Sequence, residues 1–118
     1  MKVTLFVGSD DYEKLCCALD AGNVAAAMGG DVTMYFATRG LKAIMKGGTK
    51  NIPHLEGGPT VDEQIERAKQ LKVKIYACEL ATKIYRVEQA DLIPEAKIVG
   101  TATFIDRAAD SDVVLTFI

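Results

Sequence analysis

The sequence has one histidine and no Cys-x-x-Cys pair, so the usual ligand sets for a structural or catalytic metal are missing. Cys16 and Cys17 are neighbours in a helical stretch, which turns their side chains about 100° apart. They read as core or interface filling rather than as ligands. No Walker loop is present and no Gly-x-Gly-x-x-Gly follows a strand, so no local motif builds a nucleotide or other cofactor site. No apolar run approaches the length that crosses a bilayer. The run Val3 to Val7 is also too short for the apolar centre of a signal peptide. An excess of positive charge is lacking as well. The formal charge of -2 gives no electrostatic reason to expect nucleic acid or an anionic membrane as partner. Three cysteines are an odd number, which favours free thiols in a reducing cytoplasm over a disulfide framework.

What is present is ordinary for a globular chain: 118 residues, 49% hydrophobic and 25% charged. That length predicts one domain over 1–118, able to bury roughly two thirds of its unfolded surface. Short β-rich runs at 2–7, 31–37, 73–77, 96–99 and 112–118 predict strands. Between them lie helical patterns at 11–28, around Leu41, Ile44 and Met45, at 60–71, after Cys78, and around Phe104. Asp10 with Glu13, and Thr60 with Glu63, read as capping boxes that open two of these helices. The helix over 11–28 is apolar almost all round, which predicts burial on more than one side, with a second subunit on one of them. The glycine-rich stretch 47–59 reads as a long loop, with His54 as a lid residue.

Strands alternating with helices specify an α/β fold with a mostly parallel five-stranded sheet. Right-handed crossovers then collect the carboxyl ends of the strands on one edge, where open sheets of this kind bind ligands. That edge gathers Gly8, Ser9, Asp10, Thr38, Arg39, Gly40, Cys78, Gly100 and Thr101 as pocket residues. Cys78 stands out among them. It ends the apolar strand Val73-Lys74-Ile75-Tyr76-Ala77 and precedes a helical pattern, so its sulfur meets unpaired helix amides that favour an anion. The thiolate is the reactive form of cysteine. Glu79, directly beside it, opposes ionisation unless it turns outward. Arg39 at the end of another strand is a source of positive charge for an anion.

With these residues in view, the chain resembles the DsrE/DsrF-like family of small sulfur-relay proteins. The likeness rests on the opening strand Lys2 to Val7, the Ala-rich first helix ending in Gly29-Gly30, and Ile75-Tyr76-Ala77-Cys78. It implies a three-layer α/β/α domain that assembles into oligomers, often trimers or hexamers. It also implies that Cys78 accepts a sulfane sulfur as a persulfide and hands it to a partner thiol, as a sulfurtransferase or sulfur carrier does, with donor and acceptor proteins as partners.

Two functional readings follow. In one, Cys78 carries sulfur, with Gly8, Ser9, Asp10, Arg39, Glu79, Gly100 and Thr101 around it. In the other, the chain is a non-catalytic oligomeric module that binds a small anion or a partner, and Cys78 is an inert core residue.

Overall fold

The computed structural model describes all 118 residues. Five strands form one sheet: β1 (Lys2–Val7), β2 (Asp31–Phe36), β3 (Lys74–Cys78), β4 (Ala96–Val99) and β5 (Val113–Phe117). Their order across the sheet is β4-β3-β2-β1-β5, and every pairing is parallel. The expectation of a mostly parallel sheet is thus met in its strictest form. Four α-helices connect the strands: α1 (Tyr12–Ala27), α2 (Val61–Gln70), α3 (Glu79–Ile84) and α4 (Thr101–Ala109).

The chain steps outward from β1 through β2 and β3 to β4, so right-handed crossovers put α1, α2 and α3 on one face. It then returns to the far side of β1, which carries α4 across the opposite face. Side-chain alternation agrees. On the α1 face, a Cβ on Gly22 would meet Met34 and Leu5. On the α4 face, the Phe104 ring stacks on Tyr35 at 4.8 Å and meets Phe6 edge-on at 5.4 Å. β2, central and covered on both faces, is buried from Val32 to Phe36. Each fully buried side chain such as Leu5, Leu15, Met34 or Ile44 contributes about 1.5–3 kcal/mol.

Local structure departs from the sequence pattern in several places. The cap of α1 is Asp11, whose carboxylate accepts the Lys14 amide at 3.2 Å, rather than Asp10. Asp10 instead pairs with Lys42 at 3.1 Å. Within this chain α1 is buried along one side only, through Leu15, Ala18, Leu19, Gly22 and Asn23. The opposite side, with Cys17, Val24 and Met28, is exposed. The helical pattern around Leu41 is a 3-10 segment, Thr38–Ile44. The 47–59 stretch is not featureless, because a 3-10 turn at Gly48–Asn51 opens it and Ile52 is buried. The Tyr12 hydroxyl holds its far end by donating to the Pro59 carbonyl at 2.7 Å. The Thr60–Glu63 capping box is formed in full.

Candidate functional site

Cys78 is the last residue of β3 and the residue that caps α3. Parallel pairing sets it opposite Val99. Gly100 and Thr101, which begin α4, therefore follow beside it on the same sheet edge. The helix behind it is weaker support than the sequence suggested. α3 runs for only six residues and the Cys78 side chain makes no capping bond. Glu79 is turned outward and pairs with Lys83 one turn on, at 3.7 Å. Its charge is thus partly neutralised and faces solvent. The sulfur-bearing residue itself is 7% exposed. It lines none of the five main cavities of the chain.

The residue that sequence reasoning missed is Tyr35. Register places it on the sheet face that also carries Tyr76 and Cys78, the face crossed by α4. Its ring packs in a three-ring cluster with Phe104 and Phe6, the latter at 5.8 Å. Only 2% of the residue is exposed, yet its hydroxyl has no hydrogen-bond partner of proper geometry. A buried polar group left unmatched costs about 1–3 kcal/mol. Tyr35 pairs with Tyr76, and Cys78 lies two residues on along the same face; Cys78, Thr101 and Glu79 are the side chains that act on its phenol. Burial first, and then the Cys78 sulfur, pushes the Tyr35 phenol up to about 12. One signal was available beforehand: a tyrosine in the middle of a buried strand needs a partner for its hydroxyl.

The other residues of the edge divide into a second group. Asp10 and Arg39, with Thr38, Lys42, Tyr85 and Val87, line an open cavity of about 550 Å³. Arg39 is exposed and makes no ion pair, whereas Lys42 is held by Asp10. Gly8 and Ser9 serve the backbone. The Gly8 amide donates to the Phe117 carbonyl at 2.8 Å, and its carbonyl accepts the Thr38 hydroxyl at 2.5 Å. The Ser9 hydroxyl accepts the Asp11 amide at 3.0 Å. Thr38 sits at a φ of 48°, rare for a β-branched residue. His54 meets the Tyr12 ring edge-on at 5.9 Å and lines a smaller cavity that shares Asp10 and Lys42 with the first. Cys78, Glu79, Gly100 and Thr101 are therefore brought together, while Asp10, Arg39 and His54 form a neighbouring depression. No group of three His, Cys, Asp or Glu side chains is arranged to hold a metal. No helix is long and apolar enough to cross a membrane.

Comparison with known proteins gives a consistent picture. The family model for the DsrE/DsrF-like family matches residues 1–117. The sulfur carrier protein DsrE2 of Allochromatium vinosum is 25% identical over 79 residues, 67% of this chain and 50% of that protein. The chain spans about half the length of that relative. Among solved structures, the ychN protein of E. coli aligns with a TM-score of 0.78 at 17% identity, covering 99% of this chain and 100% of that one. MTH1491, a protein of unknown function from Methanobacterium thermoautotrophicum, aligns with a TM-score of 0.73 at 12% identity, covering 97% of each chain. Both likenesses concern the fold.

Proposed function

We propose that this chain, which belongs to the DsrE/DsrF-like family, is a sulfur-relay protein that carries sulfane sulfur on Cys78. The observation that carries the reading is the position of Cys78 at a β3 carboxyl end, flanked by the starts of α3 and α4. The name of the A. vinosum relative, a sulfur carrier, supports it. In the first step the Cys78 thiolate attacks the outer sulfur of a persulfide donor. A new Sγ–S bond forms, the donor's S–S bond breaks, and its electron pair leaves on the donor thiolate. In the second step an acceptor thiolate attacks the outer sulfur of the Cys78 persulfide, and Cys78 departs as thiolate. Sulfur moves without any outside oxidant or reductant. Gly100 and Thr101 wall the sulfur. Asp10 and Arg39 line the neighbouring cavity and receive the donor or acceptor. His54 lines the smaller cavity that shares Asp10, and Gly8 and Ser9 hold the backbone leading to Asp10.

The working form in this reading is a homo-oligomer, a trimer or hexamer, in a reducing cytoplasm that keeps all three cysteines as thiols. Exposed apolar side chains such as Val24, Met28, Leu80 and Ile84 support assembly.

Incubation with thiosulfate or a persulfide donor, followed by intact-mass analysis and peptide mapping, tests the reading. The wild-type chain gains the mass of one sulfur atom on the Cys78 peptide, and Cys78→Ser, which keeps Cys16 and Cys17, does not. Equal uptake by Cys78→Ser ends the proposal. The competing reading, a non-catalytic module with an inert cysteine, draws on the 7% exposure of Cys78. It requires that Cys78 resist alkylation until the fold opens.

A further inference from the structure

We infer that the Tyr35 hydroxyl is the reserved hydrogen-bond donor for the anionic sulfur on Cys78, first the thiolate and then the outer sulfur of the persulfide. This rests on the reading of Cys78 as the sulfur-bearing residue. Three observations lead to it. The hydroxyl is buried and unpartnered, which is uncommon in a folded chain. Strand register sets Cys78 on its face two residues beyond its partner Tyr76, and Cys78, Thr101 and Glu79 are the side chains that act on its phenol. The ring that carries it is fixed by Phe104 and Phe6, so the hydroxyl has little freedom to find another partner. A neutral thiol is a weak acceptor. A thiolate or perthiolate is a charged one, and hydrogen bonds to charged groups are roughly twice as strong. The Tyr35 hydroxyl, without a well-formed bond at rest, gains most when the sulfur beside it carries charge.

Two further properties fit. With its phenol raised to about 12, Tyr35 stays protonated at neutral pH and keeps its hydrogen to donate. Glu79 is the charged group nearest in sequence to the sulfur, and its pairing with Lys83 holds it at the surface. Thr101 supplies a second hydroxyl to the same space, at the start of a nine-residue helix whose cap, Gly100, offers no side chain. No atom is gained or lost at Tyr35 in either step; its O–H stays intact and only its acceptor changes.

Tyr35→Phe tests this, because it removes the hydroxyl and leaves the ring stack. The variant melts at or above the wild-type temperature, since it loses only an unmatched buried group. At neutral pH its Cys78 alkylates with iodoacetamide about tenfold more slowly, as expected for one hydrogen bond to an anion. At high pH, where the thiolate is complete in both proteins, the order reverses, because the more basic thiolate of the variant is the better nucleophile. Sulfur loaded on Cys78 is also lost faster. Should Tyr35→Phe fold poorly, 3-fluorotyrosine introduced at position 35 keeps the ring and strengthens the donor, and neutral-pH alkylation then rises above wild type. A wild-type protein that loads sulfur on Cys78 while the folded Tyr35→Phe variant matches it in alkylation profile and sulfur lifetime overturns the role of Tyr35 alone. A wild-type protein that neither alkylates nor loads at Cys78 overturns both this role and the sulfur-relay reading.

Discussion

Gly40 and Gly22 are both buried, and one added methyl group meets very different neighbours at each. A Cβ on Gly40 would stand 2.2 Å from the Val7 carbonyl oxygen, which belongs to the central sheet and cannot yield. A Cβ on Gly22 would stand 2.0 Å from Met34 Cε, the far end of a flexible side chain. Gly40→Ala is therefore expected to lose about 1–3 kcal/mol of stability, as overpacking does. Gly22→Ala is expected to stay within about 1 kcal/mol of wild type, because the gain in helix propensity offsets the displacement of Met34. Urea unfolding of the two variants checks this, and equal losses would show that the Gly40 segment can move. At this scale the sequence was informative where a residue carries rare chemistry. The position of Cys78 between strand and helix was legible. Tyr35 was not, because a tyrosine in a strand satisfies β propensity and burial without revealing whether its hydroxyl is matched. That depends on Phe104 and Thr101, far along the chain and brought near only by the return crossover.

The elements follow hydrophobic period closely, and their ends follow individual hydrogen bonds. The start of α1 illustrates the difference. Asp10-Asp11-Tyr12-Glu13 offers two adjacent carboxylates, and the Asp10–Glu13 spacing suits a capping box as well as the actual Asp11–Lys14 bond suits a cap. The choice is made by tertiary structure: Lys42, from the segment after β2, draws Asp10 away. Asp11→Ala should then cost about 1 kcal/mol, the usual value of a lost cap. Asp10→Ala should cost less, since a partly exposed ion pair is worth about 0–1 kcal/mol. Thermal melts of the two variants decide it, and the reverse order would place the cap at Asp10. The Thr60–Glu63 box had no such competitor and was readable outright. Loop 47–59 was the least readable stretch. Its glycines suggest freedom, yet Gly48 packs so closely that a Cβ would meet the Lys42 carbonyl at 2.2 Å. The constraint lies in the partner, which sequence alone does not supply.

The whole molecule is tied together by a few charges and left open along several apolar faces, and both have consequences that a solution experiment can read. Asp31, at the start of the central strand, accepts from Lys74 of β3 at 3.1 Å and from Arg107 of α4 at 3.3 Å. The Lys74 bond above all, with Arg107 adding to it, holds its carboxyl below the usual carboxylate range. A depressed folded value means that the stabilisation is complete above the unfolded value of about 3.9 and is lost as pH falls through the folded one. The melting temperature of wild type should accordingly fall more steeply than that of Asp31→Asn as pH is lowered from about 5 toward 2. Parallel curves would remove Asp31 from the acid transition. The α/β order and the sheet edge that gathers the strand ends were legible from the alternation of patterns, whereas the return of the last strand to the far side of β1 was not. The uncovered faces were legible only in part, since the apolar run of α1 announced a second contact without its location. α3 adds one next to the sulfur: Leu80 and Ile84, one turn apart, are 61% and 64% exposed. Packing a second copy against that face would bury both side chains and shield the Cys78 edge from bulk water. Light scattering should then give a multiple of the 12.7 kDa chain, and Ile84→Glu should shift it toward the single chain with its helical signal unchanged. A wild-type protein that stays a single chain at all concentrations would leave Leu80 and Ile84 as the landing face for a donor or acceptor protein alone.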